Sequence, residues 1–223
     1  MAFLALCPAT ALAQTVFYDD FGGNALLPHW GLPPPAHWEY NVSNSMLNVT
    51  RLLSPSHFKS PTNFSIMGAP FEPQTDFQLD ARMGWGASEG VARFDLTVRI
   101  NSGLVATIGY CELLCGATGI FAGTSAGVVF IPSPPPGIYD FRITRVGAQF
   151  DFYFEGNRFA SLPSAYRGPL NGLSFFFSSP YPGQSGPFHI DRVQVVPAPG
   201  TLLVPAVGLG WLCRRKRRLS ART

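Results

Sequence analysis

The sequence predicts an all-β fold, an antiparallel two-sheet jelly-roll sandwich. Apolar and polar residues alternate with a period of two in many short runs, glycine (23) and proline (21) are abundant among 223 residues, and phenylalanine occurs 19 times. Such alternation buries one face of a strand and exposes the other. Because the body shows no convincing amphipathic helical pattern, we expect many short strands joined by tight turns.

The clearest strand patterns occupy the middle and the last third of the chain. In each of them Phe, Leu, Ile or Val alternates with charged or polar residues. In the last run the alternation changes phase around Asp191 and Arg192, which indicates a β-bulge. The predicted strands cover residues 76–83, 93–100, 139–144, 149–155, 173–177 and 188–195.

Two turn sequences indicate hairpins. Gly147-Ala148 and Gly156-Asn157 each begin with the glycine that a two-residue type II′ turn requires, so residues 138–162 are predicted to form a three-stranded meander. A strand at residues 16–21 is expected to lie beside the last strand, which closes the domain. This closure favours a two-sheet sandwich over a closed barrel.

The formal net charge of +3 arises at the C-terminal end. The basic residues stand together as Arg214, Arg215, Lys216, Arg217 and Arg218, followed by Arg222. Without these six, ten Lys and Arg remain against thirteen Asp and Glu. The body is therefore acidic overall and lacks the basic surface of a nucleic-acid-binding protein.

Residues 1–13 have the shape of a signal peptide. An apolar run that begins at Phe3 leads to Ala11-Leu12-Ala13, which resembles a cleavage site. The positive residues that usually precede such a run are absent, and a buried first strand is the alternative. The pattern predicts export across the inner membrane.

The C-terminal end has a short apolar segment, residues 201–213, before the basic cluster. As a helix it would span about 20 Å, less than the hydrocarbon core of about 30 Å. We therefore expect a short hydrophobic helix that holds the chain at the membrane temporarily, with its basic end in the cytoplasm and the body outside. A permanent single-pass anchor is the alternative.

Residues 197–218 resemble the PEP-CTERM sorting domain of Gram-negative bacteria. The resemblance rests on Pro197-Ala198-Pro199, the apolar segment and the basic cluster, in this order. The family most often has Pro-Glu-Pro at the first position, and Pro205 interrupts the apolar run here. The resemblance implies that an exosortase-type membrane enzyme cuts near the proline motif and releases the domain to the cell surface or the extracellular matrix.

Residues 14–196 resemble the concanavalin A-like lectin and glucanase superfamily, including laminin G-like modules. The resemblance rests on Asp19-Asp20-Phe21, the run from Phe150 to Phe159, and Ile190-Asp191-Arg192-Val193. It implies a secreted protein associated with extracellular polysaccharide, with a carbohydrate-binding or structural role. The alternative is a divergent glycoside hydrolase or polysaccharide lyase on the same fold.

The sequence predicts no catalytic residue. Glycoside hydrolysis needs two carboxylates across one bond, and the Glu-x-Asp-x-x-Glu strand motif of these glucanases is absent. Asp151 and Glu155 share one face of a strand, but at a spacing of about 13 Å, too far for a retaining pair. This favours binding over catalysis.

Ligand binding is predicted at aromatic residues in loop-like stretches, where an exposed ring can stack on a sugar. These residues are Trp30, Trp38, Trp85 and Tyr181. Core packing is the alternative for each of them.

The remaining candidate sites involve acids and cysteines. Calcium binding, which laminin G-like and lectin relatives often show, would use Asp19, Asp20 and Asp191 if the first and last strands are neighbours; a solvated sheet edge is the alternative. Cys111 and Cys115 are expected to pair in an oxidising compartment, with metal binding as the other reading.

Overall fold

The computed structural model describes residues 17–28, 30–31, 38–51, 62–67, 74–86, 93–100, 103–112, 117–179 and 185–198. The predicted signal segment and residues 199–218 of the predicted sorting tail lie outside these ranges. The described residues form strands and turns without a helix, as the all-β prediction requires. Among the described residues there is thus no helix that is long and apolar enough to span a membrane.

Within these ranges, fourteen strands form two antiparallel sheets. The eight-stranded sheet contains, in spatial order, β12 (Asn157–Pro163), β11 (Gln149–Phe154), β10 (Gly137–Val146), β5 (Phe77–Trp85), β14 (Ser185–Pro197), β3 (Met46–Arg51) and β2 (Trp38–Ser43), with β1 (Phe17–Asp19) beside β14. The six-stranded sheet contains β4 (Thr62–Met67), β13 (Gly172–Ser179), β6 (Arg93–Ile100), β7 (Gly103–Cys111), β8 (Gly119–Thr124) and β9 (Gly127–Ile131). The predicted sandwich is confirmed.

The core between the two sheets is filled largely by phenylalanine. The alternation in β6 buries Phe94, Leu96 and Val98, and the alternation in β13 buries Phe175 and Phe177 against them. Burial of one such side chain stabilises the fold by about 1.5–3 kcal/mol. The fully buried phenylalanines are Phe77, Phe94, Phe141, Phe150, Phe152, Phe175, Phe177 and Phe188.

The first and last strands are neighbours, as predicted. In β1, Phe17 lies opposite Val195 and Asp19 lies opposite Val193 of β14. The predicted phase change is also present, because the pairing of β14 with β5 shifts between Ile190 and Arg192. An extra residue at that point turns the rest of the strand so that its apolar side chains again face the core.

One of the two predicted hairpin turns is confirmed and the other is wrong. Gly147 has φ 61° between paired residues Val146 and Gln149, as expected for a glycine in the first position. The second turn consists of Glu155 and Gly156, with φ 49° and 76°, which is the type I′ pattern rather than a turn over Gly156-Asn157. The left-handed Glu155 is held because its N–H donates to the Asp140 carbonyl (2.9 Å) while its Oε1 accepts from the Asp140 N–H (2.6 Å).

Arg145 is an inward-facing cation at the end of β10. It is fully buried, and its guanidinium donates to the carbonyls of Gly147 (2.8 Å), Gly168 (2.8 Å) and Tyr166 (3.3 Å). Its guanidinium carbon also lies 5.4 Å from the centre of the Phe150 ring. Arg145 therefore holds the segment that follows β12 against the end of the sandwich.

Candidate functional site

The outer face of the six-stranded sheet contains a polar groove. On β6, the residues that alternate with the core side chains point to this face: Arg93, Asp95, Thr97 and Arg99. Together with Leu104 of β7 and Ser174 and Phe176 of β13, they line a groove of about 320 Å³. We call it the β6 groove.

Asp95 lies beneath this groove and is almost completely buried, with 1% of its surface exposed. Its Oδ2 accepts from Arg93 Nε at 2.6 Å, and its Oδ1 accepts from the hydroxyls of Thr97 (2.8 Å) and Thr107 (3.0 Å). Burial raises the pKa of the Asp95 carboxyl, while Arg93 and the two hydroxyls oppose the rise by stabilising the charged form. The Asp95 carboxylate is thus an anchor, that is, a fixed acceptor that holds Arg93, Thr97 and Thr107 in place.

Gly109 makes room for this anchor. It lies directly opposite Asp95 in the pairing of β6 with β7. A Cβ at this position would lie 2.1 Å from the Phe94 carbonyl oxygen and 2.6 Å from Asp95 Cα, distances that real Cβ atoms do not show. Only glycine lets the two strands approach this closely here.

Arg93 covers the anchor and is held between two rings. Its guanidinium carbon lies 5.0 Å from the centre of the Phe121 ring and 5.3 Å from the centre of the Phe176 ring. Both distances are in the range of a cation–π interaction. Because 29% of the Arg93 side chain remains exposed, the groove presents a positioned cation beside aromatic surface.

The other end of the β6 groove is formed by Arg99, Ser174 and Leu104. Arg99 Nη1 lies 3.4 Å from Ser174 Oγ, a long donor–acceptor distance, and Leu104 is 58% exposed. This end therefore combines a second cation with an exposed apolar side chain. The described part of the groove has two cations, one buried carboxylate and apolar walls.

The outer face of the eight-stranded sheet contains a second groove, of about 290 Å³, but its charges are paired with each other. Arg142 Nε lies 2.5 Å from Asp80 Oδ1. Arg82 lies 3.1 Å from Asp191 and 3.6 Å from Asp140. These cross-strand pairs form a ladder that stabilises the sheet, so we assign this groove a structural role.

Three of the four predicted sugar-stacking residues are core residues. Trp30 (4%), Trp38 (4%) and Trp85 (3%) are buried, and a buried ring offers no face to a sugar. Trp30 Nε1 donates to Asp19 Oδ2 at 2.6 Å, and Trp85 stacks on Tyr110 with ring centres 4.4 Å apart. Their loop-like sequence surroundings were misleading because the rings turn inward. The fourth, Tyr181, lies outside the described residues.

The three acids predicted to bind calcium do not form a metal site. Asp19 is buried and accepts from the Phe21 N–H at 2.8 Å, Asp20 accepts from the Gly22 N–H at 3.0 Å, and Asp191 pairs with Arg82. In the described ranges no three His, Cys, Asp or Glu side chains are placed to hold a metal ion. The adjacency of the first and last strands was predicted correctly, but the acids have other partners.

The predicted disulfide and sorting motif are described only in part. Cys111 is buried and disulfide-bonded, while Cys115, its predicted partner, lies outside the described residues. Cys111 lies opposite Arg93 in the sheet. Pro197 ends β14, and the Ala198 N–H donates to the Asp76 carbonyl at 3.2 Å. Pro199 and the basic cluster Arg214, Arg215, Lys216, Arg217 and Arg218 lie outside the described residues.

Sequence reasoning missed the β6 groove. Alternation placed Arg93, Asp95, Thr97 and Arg99 correctly on an outer face, but gave no reason to expect Asp95 to be buried. Asp95 is contacted by Arg93, which is held in place by Phe121 and Phe176, two residues that are distant in sequence. The sequence feature that could have indicated this groove is a single acid, Asp95, between Arg93 and Arg99 on one face of a strand.

Comparisons with known proteins show the fold. No family model matches the chain, and no curated protein matches it in sequence. Among solved structures it is similar to a CBM2 module of the evolved Dit protein of Lactobacillus casei BL23 phage J-1 (14% identity, TM-score 0.59, 83% of this chain and 97% of that one). It is also similar to a laminarinase of a Flavobacterium species (13%, 0.58, 82% and 100%) and to an immunostimulatory antigen and pseudo beta-1,3-glucanase of Mycobacterium tuberculosis (12%, 0.53, 82% and 99%). The chain thus shares the two-sheet β-sandwich fold of these structures.

Proposed function

We propose that the protein is a non-catalytic carbohydrate-binding protein and that the β6 groove is its binding site. The observation that carries the proposal is the Asp95 carboxylate, which fixes Arg93 between Phe121 and Phe176 at the floor of the groove. Groups that are already positioned lose little entropy when they bind a ligand. A concave surface with apolar walls and a few fixed polar groups is typical of a small-ligand site.

The surface of the groove suits a saccharide chemically. A pyranose ring has hydroxyl groups at its edge and an apolar C–H face. Arg93 and Arg99 offer N–H donors to the hydroxyls, and Phe176 and Leu104 offer apolar surface to the ring face. The fold neighbours support the same class, because they include a CBM2 module and a laminarinase.

Binding is favoured over hydrolysis because the described part of the groove has one carboxylate. Asp95 is buried and ion-paired with Arg93, whereas a glycosidase needs two carboxyl groups with access to the bond. A divergent glycoside hydrolase or polysaccharide lyase is the second candidate. The likeness to laminarinases favours that candidate.

The test is polysaccharide binding by the full chain on a glycan array, with Phe176→Ala as the site variant. Loss of a stacking ring should weaken affinity by about tenfold. Phe159→Ala is the matched control, because Phe159 is a half-buried ring on β12 of the other sheet. No binding to any polysaccharide would refute the proposal. Release of soluble sugar products from a polysaccharide would establish the hydrolase or lyase instead.

We further propose that the chain is exported and sorted to the cell surface or extracellular matrix. The signal-like and sorting-like ends of the sequence support this. Phe17, the first residue of β1, lies opposite Val195, near the end of β14. Expression in a host with and without an exosortase tests it. Cleavage near Pro197-Ala198-Pro199 is expected only with the enzyme, and an uncut chain in both hosts contradicts it.

A further inference from the structure

We infer that β9 (Gly127–Ile131) pairs with β9 of a second copy of this chain, which gives an antiparallel, edge-to-edge dimer. The inference concerns a surface outside the β6 groove and does not depend on carbohydrate binding. Three observations carry it: the edge position of β9, the exposure of its apolar side chains, and the absence of charge in the sequence around it.

β9 is an edge strand of the six-stranded sheet. It pairs with β8 on one side, and among the described residues no other strand pairs with it. The backbone hydrogen bonds of the described turns and loops do not reach residues 127–131 either. Because the N–H and C=O groups alternate in direction along a strand, every second residue of β9 points these groups away from β8. Such an edge is a template for one more strand.

The side chains of β9 are apolar on both faces of the sheet. Val129 and Ile131 pack against the core, so Val128 and Phe130, which alternate with them, lie on the outer face. Val128 is 58% exposed, and the Phe130 ring centre lies 5.9 Å from that of Phe121 on β8. The apolar surface of the outer face therefore continues to the edge of the sheet.

The charge pattern favours a second copy as the occupant of this edge. No charged residue occurs in the sequence between Glu112 and Asp140, a stretch that includes β8 and β9. The outer strands of the eight-stranded sheet differ, since β12 contains Arg158 and β2 contains Glu39. Charged residues on an edge strand oppose edge-to-edge pairing. Two copies of β9 meet without such repulsion, whereas a charged peptide would find no opposite charge there.

The strand is self-complementary in an antiparallel register. Pairing centred on Val129 places Val128 of each copy opposite Phe130 of the other, and Gly127 opposite Ile131. A β-branched side chain opposite an aromatic ring is a favourable cross-strand pair. Because both copies use the same edge, the assembly closes at two. The two-fold axis is perpendicular to the sheet, so both β6 grooves open on the same side of the dimer.

The test is the oligomeric state of the full chain, measured by sedimentation-velocity ultracentrifugation over a range of protein concentrations. Val128→Lys is the site variant. In the proposed register the two Val128 positions are diagonal neighbours, about 7–8 Å apart, so two lysines repel each other there. Val146→Lys is the matched control, because Val146 is a 66% exposed valine at the end of β10 in the other sheet. Both variants keep the apolar end segments of the chain.

We expect the parent and Val146→Lys to form a concentration-dependent dimer. Val128→Lys should raise the dissociation constant at least about tenfold, and Val128→Glu should do the same. An equimolar mixture of the Lys and Glu variants should recover the dimer, because opposite charges then lie beside each other. Thermal melts followed by circular dichroism establish that each variant is folded.

Hydrogen exchange locates the contact within the chain. As the concentration of the parent rises, the amides of residues 127–131 should exchange several-fold more slowly, because the second copy pairs with them. The amides of β12 (Asn157–Pro163), an outer strand of the other sheet, should exchange at an unchanged rate.

Each outcome decides the inference. A dimer that is lost in both single variants and recovered in their mixture, with slower exchange in β9, supports it. A parent that is monomeric at every concentration overturns it. A dimer that survives Val128→Lys also overturns it, because the contact then lies elsewhere in the chain.

Discussion

Replacement of Gly109 by alanine tests whether the close approach of β6 and β7 builds the β6 groove. The new Cβ would lie 2.1 Å from the Phe94 carbonyl oxygen and 2.6 Å from Asp95 Cα. Contacts of at least 3.0 Å require the strands to separate by almost 1 Å. Because both atoms belong to the backbone, no side-chain rotation relieves the clash. Overpacking of this kind costs about 3 kcal/mol.

Urea unfolding followed by circular dichroism measures this loss of free energy, and a thermal melt measures the accompanying change in Tm. For a domain of this size, about 3 kcal/mol corresponds to a decrease of roughly 6–12 °C in Tm. The displaced Asp95 should also release Arg93, so affinity for polysaccharide decreases along with stability. Gly172→Ala is the matched control, because Gly172 lies on the same sheet and an added Cβ there meets nothing within 4 Å. A loss below about 1 kcal/mol for Gly109→Ala, or an equal loss for both variants, would refute the reasoning.

Three further predictions concern buried ionisable groups. Arg145→Met should lower the free energy of unfolding in urea by about 3 kcal/mol, because the three carbonyls that accept from the buried guanidinium lose their donor; an unchanged midpoint would contradict this. Arg93→Met should raise the pKa of the Asp95 carboxyl further, because the charged form loses its ion pair. The unfolding free energy of the variant should then fall more steeply than that of the parent as pH rises above about 3.8. Equal slopes for the two proteins would contradict this. Burial lowers the pKa of His189, so the parent should lose stability as pH falls below about 6.5, and His189→Gln should reduce the loss measured in thermal melts.

The two outer faces of the sandwich differ in how their charges are arranged. On the eight-stranded sheet, Arg82 lies opposite Asp140 and Arg142 lies opposite Asp80 in the pairing of β5 with β10, so these charges have opposite partners beside them. On the six-stranded sheet, Asp95 forms an ion pair with Arg93 and is buried beneath it. The first arrangement stabilises a surface, whereas the second positions Arg93 at a groove. This difference is the reason for placing the site on the six-stranded sheet.

The sequence by itself determined the architecture of the protein. The period-two alternation placed Phe94, Leu96 and Val98 in the core, and the phase change near Asp191 predicted the β-bulge. The pairing of the first strand with the last was also predicted. These features depend on short-range pattern and on the need to bury one face of every strand, both of which can be read from neighbouring residues.

The tertiary structure alone decided the site. Residues far away in sequence decide whether Trp85 turns inward and whether Asp95 is exposed. They also decide whether Glu155 or Asn157 occupies the turn. Asp95 is buried because Phe121 and Phe176, on two other strands, hold Arg93 above it. Alternation assigns a side chain to a face, but cross-strand neighbours decide what covers that face, and the pairing of strands specifies those neighbours.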